Sequence, residues 1–533
     1  MSGLTFETLR YYRPRQAESN PETVRADVCI YGGSSAGVAA ALQVRRMGLR
    51  AVIAGFGEHL GGLSAGGLGH TDIGNKAAIG GIAREFYTEL GRRYAGDRRI
   101  DGDGAIWQFE PGAAERVFRD WIAEAEIPVY YGQHLDAAIT EGGRIKAIRM
   151  ENGNVFEAQM FIDATYEGDL MARAGVSFHV GRESNAVYKE TLNGIHFGHP
   201  NHNFKAWVDP YRVEGKPDSG LAFGVTADRP GVQGEGDASI QAYNFRICLT
   251  NRPDNRLPVP MPAGYNPDRY VLLERYIRAG VWDALKLLGH MPGGKTDLNN
   301  YGAVSTDYIG MNYRWPEGSY EERERIFQDH VNYTAGLLYF LANDERIPAP
   351  IRTEAAQWGL PADEYPQTGH WSRQLYVREA RRMVSGLVMT ERHCRFFETA
   401  DDSVGLAAYT MDSHNCRRIA LDGRCINEGN VEVPPSSPYP ISYRAIVPKG
   451  EECTNLLVPV CLSASHIAFG SIRMEPVFMI LGQSAATVAV LAAESGCAVQ
   501  DVPYPELRKR LLQDRQVLNP EAAKHAKGPV NPQ

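Results

Sequence analysis

Two histidines, His414 in Met411-Asp412-Ser413-His414 and His466 in Ser463-Ala464-Ser465-His466, are of the residue type that takes up a proton near neutral pH. They are the candidate general bases for an oxidation in which an oxygen- or nitrogen-bound proton must leave the substrate; each also reads as a hydrogen-bonded core histidine. Arg473 stands just before an apolar helix expected over 477–493, whose N-terminus carries a partial positive charge. It is a candidate holder of a substrate carboxylate, pairing with Glu475 being the structural alternative. The amides from Met474 through Val477 to Phe478, beside Ser471, suit a bound anion. Arg378 and Arg382, in Tyr376-Val377-Arg378-Glu379-Ala380-Arg381-Arg382-Met383, share a face if Leu375–His393 is a helix, and can clamp an anionic substrate or pair with neighbours such as Glu379. Tyr443, with Tyr439 and Trp371, is a candidate wall of the substrate pocket, core packing being the default for aromatic residues. His196, His199 and His202 in HFGHPNH sit on a loop with Gly and Pro and without Asp, Glu or Cys at motif spacing, so no metal is expected there.

A second set of residues offers backbone instead of side chains. Gly32-Gly33-Ser34-Ser35-Ala36-Gly37 joins an apolar run to an Ala-rich one, and residues 25–54 read as strand, tight turn, helix, strand. In such a unit Gly32 makes the sharp bend, Gly37 allows the helix to approach the strand, and the turn amides hold a pyrophosphate. Two departures stand out: Ser34 replaces the middle glycine of the usual fingerprint, and Gly55-Phe56-Gly57 follows the second strand where an acid normally meets the ribose, leaving Glu58 to substitute. Then comes a glycine-dense run from His59 to His70, including Gly61, Gly62, Leu63, Ser64 and Gly67, that leaves room for a ligand to approach the backbone.

The elements that must position these residues belong to a chain of 533 residues, too long for one ordinary core and suited to two lobes. A composition of 43% apolar and 23% charged residues with a net charge of −8 is that of a soluble globular protein and gives no reason to expect nucleic acid as a partner. The N-terminus lacks an apolar signal core and no run of 18 uninterrupted apolar residues follows, so no membrane span and a cytoplasmic location are expected. The eight cysteines include no pair at ligand spacing and read as buried thiols. Tyr320–Leu341 reads as an amphipathic packing helix.

The segments YGGSSAGVAAALQVRRMG, HLGGLSAGGLGHTDIG, FIDATYEGDLMARAGV and NLLVPVCLSASHIAFGSIRMEPVFMILGQSAA together resemble the FAD-dependent oxidoreductase family of the glutathione-reductase-like superfamily. The resemblance implies an α/β fold: a Rossmann-like FAD-binding domain made of residues 25–178 and 440–500, with an inserted α+β substrate domain at 179–439 and extensions at 1–24 and 501–533. It implies that the strand ending at Ala164-Thr165, with Gly168, returns to the FAD, that Leu135 lies near the adenine, and that the C-terminal helix closes on the flavin. Non-covalent FAD is the simpler state; attachment through His59 or His70 is chemically open. The expected activity is that of a dehydrogenase or oxidase passing a hydride from a small polar substrate (carbohydrate, hydroxy acid or amine) to flavin N5. The alternatives are a flavin monooxygenase or reductase using NAD(P)H, and a non-catalytic FAD-stabilised binding protein. No second strand–glycine–helix fingerprint is found, so the electron acceptor is expected to be dioxygen, a quinone or a carrier protein.

Overall fold

The computed structural model describes residues 5–15, 19–285 and 287–524; residues 1–4 and 525–533 of the expected terminal extensions lie outside the described residues. The frame is a seven-stranded sheet of order β3-β2-β1-β6-β5-β4, with β7 also on β6. Its strands are β1 (Thr23–Tyr31), β2 (Ala51–Ala54), β3 (Val129–Tyr130), β4 (Leu135–Glu141), β5 (Arg144–Met150), β6 (Val155–Asp163) and β7 (Leu456–Leu457). The strands β1, β2, β3, β7 and their partner β6 run parallel, while β4 and β5 are antiparallel. Their apolar ends, VCIY, AVIA and FID, are buried on both faces, as parallel strands covered by helices must be. The register sets Tyr31 beside both Ala54 and Asp163, and Leu457 beside Ile162, so the carboxyl ends of strands from both chain termini finish at one edge. That edge is where open α/β sheets bind ligands.

Helix α1 (Ser35–Arg46) crosses from β1 to β2, capped by Ser34 and closed by Arg45 and Arg46 at its C-terminal turn, both placements matching the helix dipole. The short helix α2 (Gly62–Ala65) lies in the glycine run, α3 (Pro111–Glu124) precedes β3, and α4 (Asp169–Arg173) follows β6. In the middle lobe, α5 (Tyr320–Asn343) starts at Ser319, whose hydroxyl accepts from Glu322 N. The two C-terminal helices are α6 (His466–Ile472) and α7 (Glu475–Ser495). Among the described residues α7 alone is long and apolar enough to cross a membrane, and 89% of that window is buried inside this fold, where it packs on α1. The approach is close: a Cβ on Gly482 would stand 2.2 Å from the Ala36 carbonyl.

The segment 179–439 carries a three-stranded antiparallel sheet (Ile247–Thr250, Leu287–Met291, Lys295–Leu298) and short two-stranded ribbons around cores that contain Tyr270, Trp315 and Phe327. The helix expected over Leu375–His393 is not formed: Leu375–Tyr376 and Arg382–Met383 are short strands and only Glu391–Cys394 is helical. All eight cysteines are free thiols, seven of them buried.

Candidate active site

At the sheet edge lies a cavity of ≈ 440 Å³ lined by Gly32, Gly33 and Ser34, by Phe56 to Leu60 after β2, by His134 before β4 and by Ala164 to Glu167 after β6. Gly32 has φ +106°, and a Cβ there would sit 2.9 Å from the backbone of Ala164 and Thr165. A side chain would therefore push the β1 turn off the β6 turn. Ser34, in the place of the usual glycine, turns its hydroxyl inward, donating to Ala164 O at 2.6 Å and accepting from Gly37 N at 3.3 Å. The departure is thus absorbed as an N-cap. Ser35 and Ala36 open the first turn of α1, whose amides lack intrahelical partners and suit an anion. On the β6 side, Asp163 accepts from Thr165 N and Oγ1 and from Met171 N, and Thr165 Oγ1 in turn accepts from Gly168 N. Burial raises Asp163 to about 6 despite these bonds. Glu58 lies at the cavity rim, its side chain 70% exposed and 3.6 Å from Arg15. Leu135 is fully buried, so its neighbour His134 reaches the cavity instead.

The glycine run leaves this cavity and ends against the middle lobe. Gly61 N bonds Gly33 O at 2.8 Å, tying the run to the first turn. Gly67 has φ +146°, and a Cβ there would meet Arg246 O at 2.4 Å; Gly69 N and His70 N both donate to Asp297, which pairs with Arg246. At the start of α7, where Met474 is the N-cap and Val477 is buried, Glu475 accepts from Ser35 (2.6 Å), Ser64 (2.9 Å) and Tyr166 (2.7 Å), while Tyr166 Oη accepts from Leu63 N. One carboxyl therefore joins the pyrophosphate turn, the glycine run and the C-terminal helix. Burial raises its pKa. Sequence reasoning assigned Glu475 only as a partner for Arg473; its position in the first turn of an apolar helix was the available signal.

Arg473 instead points the other way. Its guanidinium donates to Tyr376 Oη at 2.7 Å and pairs with Asp412 at 3.1 Å, while Ser471 on α6 donates to Tyr409 O. Asp412 lies 3.5 Å from His414 Nε2, and His414 Nδ1 donates to Asp307 at 2.7 Å, itself 3.0 Å from Arg378. Tyr376 is thus flanked by the guanidinium groups of Arg473 and Arg378, 5.6 and 4.6 Å from its ring. The imidazole of His414 keeps 10% of its surface exposed and Asp412 keeps 18%. For His414, burial and Arg378 push the pKa down, but Asp307 and Asp412 together outweigh them and raise it. Tyr376 and Asp412 stand in the named segments without a role and Asp307 stands in none; nothing in their spacing shows that they meet.

Other expected site residues are placed elsewhere. His466 has no free ring nitrogen, Nδ1 donating to Glu379 at 2.7 Å and Nε2 facing Ser413 Oγ at 3.0 Å, with 2% exposure. Arg382 pairs with Glu183 and Glu379 and also donates to Ala464 O and Gly181 O. With the helix absent it shares no face with Arg378, whose own bonds go to Ala242 O, Asn244 and Asp307. Tyr443 donates to Val499 O within the core packed on the seven-stranded sheet, and Tyr439 and Trp371 are fully buried, so none of the three lines the cavity. His59 lies 3.0 Å from Glu115 and 2.7 Å from Arg373, and His70 faces Gln108. His199 and His202 lie near Glu432, and His196 faces Gln233; among the described residues no cluster of three His, Cys, Asp or Glu could hold a metal ion.

The profile of the FAD dependent oxidoreductase family matches residues 27–511. No curated protein matches the chain. Among solved structures it is similar to L-proline dehydrogenase from P. horikoshii, at 13% identity over 31% of this chain and 59% of that one, TM-score 0.24. It is similar also to THI4 of Thermovibrio ammonificans, at 17% identity over 32% and 66%, TM-score 0.24. A mutant flavin monooxygenase from Stenotrophomonas maltophilia aligns at 18% identity over 33% and 45%, TM-score 0.21. The chain therefore spans between 45% and 66% of the length of these solved chains.

Proposed function

The chain belongs to the FAD-dependent oxidoreductase family and is an FAD-dependent enzyme, and from that premise we propose that it is a dehydrogenase or oxidase of a small polar molecule, with His414 as the group that removes the substrate proton. The cavity at the sheet edge fits FAD in kind. Its ≈ 440 Å³ lies within the range of cofactor sites, Gly32, Gly33 and the α1 N-cap Ser34 form part of its wall, and a Cβ on Gly32 would crowd the opposite turn. Gly32 to Ala36 with Ala164 and Thr165 would hold the diphosphate, Glu58 and His134 the adenosine side, and Gly62 to Ser64 the flavin side. Non-covalent binding is the simpler state and is the one proposed; the contacts of His59 with Glu115 and Arg373 and of His70 with Gln108 are all made through Nδ1. Acid precipitation leaving any yellow colour in the pellet would count against this.

When bound, FAD supplies a two-electron acceptor. The protein's part is to hold the substrate and take its proton. The observation that carries the reading is the contrast between the two histidines: His414 Nε2 stands 3.5 Å from Asp412, longer than a good hydrogen bond, whereas both nitrogens of His466 are taken. A substrate hydroxyl or amine can compete for the looser position. Asp307 on Nδ1 fixes the tautomer that leaves Nε2 basic, and the two carboxylates stabilise the imidazolium once the proton has moved. Arg473 and Tyr376, which join this site to the start of α7, orient the polar end of the substrate. A wall of Asp, Arg and Tyr side chains suits carbohydrates, hydroxy acids or amines, and the electron acceptor is dioxygen, a quinone or a carrier protein.

The test is anaerobic mixing of the holoenzyme with panels of sugars, hydroxy acids and amines while the flavin's visible absorbance is followed. One class is expected to bleach it. Bleaching by NADPH alone, with none by any panel member, would replace this reading with a reductase or monooxygenase.

A further inference from the structure

The cavity has a wall that neither the glycine turn nor the family match accounts for. Residues Thr8 to Arg15 line it along its length, although the family profile begins only at residue 27. Tyr11 packs its ring 4.7 Å from Phe56 and 4.6 Å from Trp315; Tyr12 packs 4.7 Å from His134 and 5.3 Å from Tyr320. Phe56 follows β2 and His134 precedes β4, so the two tyrosines meet the loops after β2 and before β4. The segment is fastened to both lobes. Tyr11 N and Tyr12 N donate to Glu324 on α5 at 2.7 and 2.9 Å, and Gln328 on the same helix donates to Leu9 O at 2.7 Å. On the other side Tyr12 Oη donates to Glu151 and Arg15 pairs with Glu58. Leu9 and Tyr12 are 1% and 6% exposed, as core residues are. Arg10, Arg13 and Arg15 also line the cavity, and the two with carboxylate partners hold them only at 3.6 Å. Adjacent tyrosines and three cations match the two chemical halves of an adenosine diphosphate: a ring to stack on and a dianion to neutralise.

We propose that residues 8–15 are part of the cofactor site, Tyr11 and Tyr12 packing against the adenine and the arginines neutralising the diphosphate. The proposal rests on FAD as the cofactor. Because the segment is tied to α5, it also makes adenosine binding and docking of the middle lobe one event.

The test is flavin titration of the apoprotein, followed by fluorescence, with FAD and with FMN, which lacks the adenosine half. Tyr11→Ala combined with Tyr12→Ala is expected to weaken FAD by about tenfold or more, as loss of a base–aromatic stack does, and to leave FMN affinity unchanged. Since that pair removes buried rings, Arg13→Gln, which touches no core, is a second variant; it is expected to weaken FAD and flatten the dependence of FAD affinity on salt. ADP alone is expected to protect the Arg10–Tyr11 bond of the apoprotein from trypsin. Unchanged FAD affinity in both variants, equal loss of FAD and FMN, or no protection by ADP overturns the proposal while leaving the cofactor assignment intact. Failure of the unmodified chain to bind FAD would overturn that assignment and this proposal with it.

Discussion

At His414 two carboxylates face one imidazole, Asp307 at 2.7 Å and Asp412 at 3.5 Å, whereas at His466 a carboxylate and a hydroxyl close off both nitrogens. In sequence the two histidines are alike, each following a serine; residue type nominated both, and His466 also lies in the C-terminal motif expected to reach the flavin. What separates them is the reach of Asp307 and Glu379 from elsewhere in the chain, which no local spacing records. His414→Asn is expected to slow substrate-dependent flavin reduction by about 10²- to 10⁴-fold, the usual contribution of a general base, with FAD content unchanged. Stopped-flow reduction of the variant checks this, and a rate within a few-fold of the parent would rule out His414 as the base. The pH profile follows from the raised pKa. The base works only when neutral, so the acid limb of kcat/KM is expected on the alkaline side of the ordinary histidine value, and Asp307→Asn, which removes a raising carboxylate, is expected to move it toward lower pH.

Among the elements, α5 and the segment 375–393 show where pattern reading succeeds and where it stops. The helix expected over Tyr320–Leu341 from its period is formed, as Tyr320–Asn343, with Ser319 as its N-cap. The second segment had arginines at helical spacing, yet Arg378, Glu379, Arg381 and Arg382 are each under 10% exposed and partnered by Asp307, Gln241 and His466, Asp169, and Glu183 respectively. Charges on a surface helix would be solvated; here each is bound by a distant residue, and tertiary pairing overrides the local period. Helix α5 carries its own pH liability. His330 is fully buried, its Nδ1 donates to Ile326 O, its Nε2 has no partner, and burial lowers its pKa to about 4. The unfolded chain therefore takes up this proton first: the stabilising contribution is complete above about 6.5 and is lost as pH falls toward 4. His330→Leu abolishes the titration, so its melting temperature relative to the parent is expected to rise on going from pH 7.5 to pH 4, by the equivalent of at most about 3 kcal/mol. A constant difference across that range would show that His330 has the same pKa in the folded and unfolded chain, so that burial does not lower it.

For the whole molecule, the sequence resemblance was enough to bring both chain ends into one sheet, where β1 and β7 pair with β6 in parallel. The union of that sheet with the middle lobe was not readable, since it rests on buried charges. Asp169, in the first turn of α4, accepts two hydrogen bonds from Arg323 of α5, at 2.6 and 2.8 Å, and one from Arg381 at 2.8 Å. Burial pushes this carboxyl up, yet the two arginines outweigh it and hold it well below the usual carboxylate range. A shared carboxylate of this kind holds three segments in register, and taking away its charge leaves two guanidinium groups buried and uncompensated. Asp169→Asn keeps the size but removes the charge and turns an amide donor toward a guanidinium in place of one acceptor oxygen. It is expected to cost about 3–5 kcal/mol, seen as a lower melting temperature of the holoenzyme. Because Glu167 lines the cavity two residues away and α5 also anchors residues 9–12, FAD affinity is expected to fall with it. If calorimetry shows an unchanged transition, the lobes are joined by apolar packing alone; if stability falls while FAD affinity holds, the lobe contact does not reach the cofactor.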